Sequence, residues 1–86
     1  MFLIRDYGND TECANGEELV ATLSSKYKDN SVSIQYATKS TGMLAVHFVD
    51  IDAQGSITDS YGDEAPFDLS LLESKARPTL NNQTTN

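Results

Sequence analysis

Apolar and polar positions along this chain alternate in short segments, and one segment stands out. Met43–Ile51 is the longest apolar run, interrupted only by His47 and Asp50, with turn-forming residues on both sides. It is rich in β-branched and aromatic residues. A run of this length and composition predicts a strand, here the central strand of a small sheet.

Strand alternation divides this run between two faces of the predicted sheet. One face receives Leu44, Val46 and Phe48, and the other receives Ala45, His47, Val49 and Ile51. We expect Leu44, Val46 and Phe48 to face the main core, with Phe48 buried between helix and sheet. The other face then has few apolar residues, so either the C-terminal segment Leu69–Leu72 covers it or a partner does.

Three further segments predict strands. Phe2–Tyr7 begins the chain, and a polar loop follows it as far as Asn15. Ser31–Ala37 alternates cleanly, with Val32, Ile34 and Tyr36 directed to the core. Ser56–Tyr61 is short and polar, which is typical of an edge strand.

Helical spacing appears twice. Leu19, Val20, Leu23 and Tyr27 recur on one side of a helix that Asn15 can cap. Asp68 can cap a second, short helix around Leu69–Leu72, and Pro78 ends it. The prediction is one α+β domain over 1–78 in the order β-α-β-β-β-α. Its sheet is largely antiparallel, with one helix packed on a face, and a disordered, flexible tail follows over 79–86.

Charge and composition exclude several function classes. Thirteen acidic residues oppose six basic ones among 86, which gives a net charge of −7. Binding to nucleic-acid phosphates or to anionic membranes is disfavoured, because both need a basic surface. The single Cys13 allows no internal disulfide, and no apolar run approaches the roughly 18 residues of a membrane span. No signal-peptide pattern is present at the N-terminus. We expect a cytoplasmic protein.

The acidic residues are unevenly distributed. Between Ser40 and Ser74 there are seven aspartates and glutamates and no lysine or arginine. We predict that five of them contact a partner: Asp50, Asp52, Asp59, Asp63 and Glu64. Such a one-signed stretch suits docking on a basic protein surface, although it equally suits a solvated surface that keeps a small protein soluble.

Catalytic and metal-binding patterns are weak. Asp50–Ile57 resembles the start of a calcium-binding EF-hand loop, but Tyr61 stands where a bidentate glutamate is needed and a strand precedes it. A polar hairpin turn is the preferred interpretation, and no metal or cofactor is predicted. His47 is the only histidine, and no motif joins it to Cys13 as a nucleophile–base pair.

The functional hypothesis is a small acidic protein that inhibits a target by occupying a basic, often nucleic-acid-binding, surface. Phage anti-defence proteins of the anti-CRISPR kind and toxin-immunity proteins work in this manner, and the comparison is one of character. One alternative is a structural subunit or assembly factor that uses its sheet face or edge strand. Another is a small enzyme that uses Cys13 or His47. The sequence leaves the partner and the oligomeric state open.

Overall fold

The computed structural model describes residues 1–60 and 65–78, which form a five-stranded antiparallel sheet and two helices. In chain order the elements are β1 (Phe2–Asp6), β2 (Asn9–Cys13), α1 (Gly16–Lys26), β3 (Asn30–Ala37), β4 (Leu44–Ile51), β5 (Ile57–Asp59) and α2 (Leu69–Lys75). The strand order in the sheet is β2-β1-β3-β4-β5. The α+β class with a largely antiparallel sheet is confirmed, while the predicted tail over 79–86 lies outside the described residues.

Strand β2 was not expected, because the sequence predicted a polar loop there. Tyr7 and Gly8 both have positive φ, 49° and 91°, as in the two-residue turns that connect tight hairpins. The register then runs from Asp6↔Asn9 to Phe2↔Cys13. The Asn-Asp-Thr-Glu-Cys segment has low strand propensity and buries only Cys13. Its pairing with β1, at the edge of the sheet, makes it a strand.

The face assignment of β4 was wrong. Leu44, Val46 and Phe48 are 60%, 48% and 47% exposed, whereas Val49 and Ile51 are buried. Directly opposed residues of an antiparallel pair share a face. The register of β3 with β4 pairs Val49 with Val32 and Phe48 with Ser33, so the apolar side of β3 decides which side of β4 is buried.

The sheet therefore has a covered face and an open face. The covered face carries the apolar residues that build the core: Phe2, Ile4, Val32, Ile34, Tyr36, Val49 and Ile51. The open face carries the side chains that alternate with them: Leu3, Arg5, Asp10, Glu12, Ser31, Ser33, Gln35, Leu44, Val46, Phe48 and Asp50.

Helix α1 begins at the predicted cap. The side chain of Asn15 accepts a hydrogen bond from the Glu18 backbone N–H at 2.9 Å, and the Glu18 carboxylate accepts one from the Ala14 N–H at 2.8 Å. These reciprocal bonds satisfy donors that a helix start leaves unpaired. Leu19 and Leu23 are fully buried against the covered face, as the helical spacing predicted.

Helix α2 lies on the same side of the sheet as α1. Leu72 belongs to the core cluster, and the Glu73 carboxylate lies against Gly16, where it occupies the space that a Cβ would need. The C-terminal segment therefore covers the face that bears Val49 and Ile51. In the described part of the chain, neither helix is long and apolar enough to cross a membrane.

Candidate functional site

The open face carries a row of exposed apolar side chains, Leu44, Val46 and Phe48, at every second position of β4. We call it the β4 row. Strand β4 lies inside the sheet, between β3 and β5, so the row is not at an edge. Its neighbours on β3 are polar, since Ser33 is opposite Phe48 and Gln35 is opposite Val46. Contiguous exposed apolar residues on a soluble domain mark interaction surfaces.

Acidic residues share the open face with the β4 row, one next to the row and two at the β2 edge, three strands away. Asp10 and Glu12 are on β2, and Asp50 is near the end of β4, where Ser31 Oγ donates a hydrogen bond to its carboxylate. Arg5 Nε donates to Asp10 Oδ1 at 3.1 Å, so the charge of this arginine is balanced by its own neighbour. With three carboxylates against one guanidinium, the face is net acidic.

Three of the five acidic residues that the sequence grouped as a partner-binding set are described by the structure, and they lie apart. Asp50 lies on the open face. Asp59 is opposite Val49 in the register of β4 with β5 and therefore lies on the covered face. Asp52 follows β4 in the turn, and Asp63 and Glu64 are outside the described residues. Among the described members of the predicted set, Asp50 is the one beside the β4 row.

The turn between β4 and β5 uses Asp52 as a structural residue. Its Oδ1 accepts hydrogen bonds from the backbone N–H of Gln54 at 2.9 Å and of Ser56 at 2.8 Å. Gly55 has φ +87°, and its N–H donates to the Asp52 carbonyl at 3.0 Å. This is the predicted hairpin turn. Within 1–60 and 65–78, no three His, Cys, Asp or Glu side chains group in a way that could hold a metal ion.

His47 and Asp59 form a polar link on the covered face. His47 Nε2 donates to the Asp59 carboxylate, and both side chains are half-buried. The imidazole also meets the ring of Phe67 edge to face, with centroids 5.8 Å apart. The link joins β4, β5 and the segment before α2, and its contacts are those of a structural pair.

Cys13 and His47 do not come together. Cys13 is on edge strand β2 and His47 is on β4, with β1 and β3 between them. Three strand spacings correspond to roughly 14 Å. The Cys13 side chain is fully buried, and this burial raises the pKa of its thiol above the ordinary value, an effect that a hydrogen bond with Thr22 only partly offsets. A thiol of this kind is poorly reactive.

One residue of the open side was missed by the sequence reasoning. Tyr7, at the tip of the β1–β2 hairpin, is 99% exposed and has positive φ. A large aromatic side chain directly before a turn glycine is the signal that could have identified it. Tyrosine in such a position is common in protein interfaces, where its ring supplies contact area at low entropic cost.

The candidate site is therefore an apolar row on a net acidic face, with an exposed tyrosine at one end. These groups suit recognition of another macromolecule by contact and charge. Comparison of the chain with protein-family models, with curated proteins and with solved structures finds no match in any of the three.

Proposed function

We propose that this protein is a non-catalytic inhibitor that binds another protein through the open face of its sheet. The observation that supports this most directly is the β4 row on a face that also carries Asp10, Glu12 and Asp50. Protein interfaces combine an apolar centre with a polar rim, and this face has both parts. Hydrophobic contact supplies affinity at the centre, and the acidic rim selects the partner.

Charge argues for a basic partner. The chain has a net charge of −7, and the open face itself holds Asp10, Glu12 and Asp50. A second copy of the same chain would place carboxylates against carboxylates, which costs free energy at close range. A protein surface with an apolar patch surrounded by lysine and arginine is the complementary partner.

The inhibitory role follows from what basic protein surfaces usually bind. Clustered lysine and arginine side chains commonly bind nucleic-acid phosphates. An acidic protein that covers them competes for the same charges, as phage anti-defence or toxin-immunity proteins do. The partner class that we propose is therefore a nucleic-acid-binding protein whose groove this domain occupies.

The first experiment places a photo-crosslinking amino acid at Val46 and, as a matched control, at Ala21 on the exposed side of α1. We expect position 46 to crosslink a basic protein whose crosslinked peptide is rich in lysine and arginine, and position 21 not to. Equal crosslinking from both positions would contradict docking through the open face.

The second experiment uses the purified partner. Val46→Asp should weaken its binding at least about tenfold, because it puts a charge in the apolar centre. Neutralising Asp10, Glu12 and Asp50 together should slow association and reduce its dependence on salt, whereas neutralising Glu17 and Glu18 on α1 should do neither. Nucleic acid should compete with this protein for the partner. Binding that is insensitive to salt and to nucleic acid would instead favour a structural subunit.

A further inference from the structure

A notch opens in the sheet where β1 ends before β3 does. The pairing of β1 with β3 stops at Arg5↔Ser33, while β4 pairs β3 as far as Asn30↔Ile51. Beyond Ser33, β3 has a strand neighbour on its β4 side and, among the described residues, none on its β1 side. The resulting groove has a volume of about 210 Å³ and adjoins the end of the β4 row at Phe48.

We propose that this notch receives an arginine side chain of the partner, an inference that depends on the open face being the docking surface. The residues that line the notch favour a ligand that is positively charged, planar and rich in hydrogen-bond donors.

Charge in the notch favours a cation. Asp6 lines it, and a second carboxylate, that of Asp50, lies next to the lining residue Ser31, from which it accepts a hydrogen bond. Arg5 is the only lysine or arginine among the lining residues that the structure describes, and Asp10 already balances its charge. A cationic side chain entering here therefore meets uncompensated negative charge.

Aromatic groups favour a planar cation. Tyr7 lines the notch, and its side chain is 99% exposed, so a guest can reach it. Phe48 is also among the lining residues. A guanidinium stacks on aromatic rings through both cation–π attraction and planar contact, whereas a lysine ammonium is compact and strongly hydrated.

Hydrogen-bond acceptors favour several donors in one plane. Ser31, Ser33 and Ser60 line the notch, and a serine hydroxyl can accept a hydrogen bond. Arginine presents five N–H donors in a fixed plane and can satisfy such acceptors together with a carboxylate. Lysine presents three donors from a single atom, so it suits this lining less well.

The test uses N-acetyl-arginine amide and N-acetyl-lysine amide, each titrated into the ¹⁵N-labelled full chain and followed by NMR. We expect saturable shifts at Tyr7, Ser31 and Ser33 with the arginine probe, and clearly weaker binding of the lysine probe. Tyr7→Asn, which suits the positive φ, should weaken the arginine probe by about threefold or more. Asp6→Asn should weaken it as well. Glu17→Gln on α1, which removes a carboxylate charge far from the notch, is the control that should leave it unchanged.

Three results would overturn the assignment: no saturable shifts, equal binding of both probes, or tighter binding of inorganic phosphate at the same amides. The outcomes also separate this proposal from the proposed function. If Val46→Asp abolishes partner binding but Tyr7→Asn affects neither the probe nor the partner, the arginine site fails alone. If the probe binds as expected but Val46→Asp leaves the partner bound, docking through the open face fails alone.

Discussion

Two valines of β4 have opposite environments although they are three positions apart. Val46 is 48% exposed on the open face, and Val49 is 0% exposed on the covered face. Their side chains are identical, so the difference comes only from which side of the strand each one occupies. Comparing substitutions at the two positions therefore tests which face of β4 is buried.

Truncating these two valines should have unequal effects on stability. Val49→Ala should lower the free energy of unfolding by about 2–3 kcal/mol, because it removes buried methyl groups and leaves a cavity. Val46→Ala should change it by less than about 0.5 kcal/mol, as is usual at exposed positions. Urea denaturation of both variants measures the difference. Equal losses would show that β4 is turned the other way.

Cys13 should make stability fall at alkaline pH. Its pKa in the folded protein is raised above 9.0, first by burial, so the unfolded chain ionises before the folded one does. The stabilisation is complete below about pH 9 and is lost as pH rises through the folded pKa. The melting temperature of wild type should therefore fall towards that of Cys13→Ala as pH rises above about 9.

Tyr36, whose pKa burial also raises, is present in both proteins and does not affect that comparison. Alkylation gives an independent check, since iodoacetamide should modify native Cys13 far more slowly than the urea-unfolded thiol. Parallel pH curves for the two proteins, or rapid native alkylation, would contradict the burial argument. Rapid alkylation would also support the alternative of a small enzyme.

The β1–β2 turn and the β4–β5 turn each contain a glycine with positive φ, but the surroundings of the two glycines differ. Gly8 has φ +91° and no heavy atom within 4 Å of an added Cβ. Gly55 has φ +87°, and its added Cβ would lie 2.8 Å from the backbone oxygen of Ser24 on α1. The first position is constrained by conformation alone, the second by conformation and packing.

Alanine at these glycines should therefore separate the two effects. Gly8→Ala should cost about 1–2 kcal/mol, the penalty of the left-handed region for a residue with Cβ. Gly55→Ala should cost more, because the α1 backbone or the turn must also move. Tyr7→Asn is the control in the first turn and should be neutral or stabilising, since asparagine tolerates positive φ. Thermal unfolding checks all three variants, and a Gly55 cost at or below that of Gly8 would be evidence against this packing.

Elements with local signals were predictable from the sequence. Asn15 and Glu18 identify the start of α1, and the strict alternation of β3 correctly assigns Val32 and Ile34 to the core. The face of β4 was not predictable in the same manner, because β4 is apolar on both sides and only its register with β3 decides. Strand β2 has no apolar pattern at all, so its pairing with β1 is a tertiary effect.

The same limit applies to the candidate site. The long acidic stretch led to Asp50, which does lie beside the β4 row. Asp10, Glu12 and Tyr7 come from a distant part of the sequence and reach the open side only through the β1–β2 hairpin. Sequence patterns report on neighbours along the chain, whereas an interaction surface depends on neighbours across strands.

In the domain as a whole, both helices pack on the same face of the sheet and leave the other face uncovered. Core residues of α1 and α2 cover one face of the sheet and leave the β4 row on the other face in contact with solvent. A net charge of −7 opposes association of the chain with itself. Apolar attraction and like-charge repulsion therefore act against each other on the same surface.

Salt should shift that balance. At low ionic strength we expect a monomer by sedimentation velocity, because carboxylates such as Asp10, Glu12 and Asp50 would face their counterparts in a dimer formed through the open face. Near 1 M sodium chloride the Debye length falls to about 3 Å, so the repulsion is screened while the apolar attraction persists. Self-association should then increase with salt and disappear in Val46→Asp.

Ala21→Asp on α1 adds the same charge away from the open face and should leave the association largely intact under screening. If salt leaves wild type monomeric at all concentrations, the β4 row is too small to drive association alone, and specific charge pairing must supply more of the partner affinity. If Val46→Asp associates as wild type does, the contact lies elsewhere on the protein.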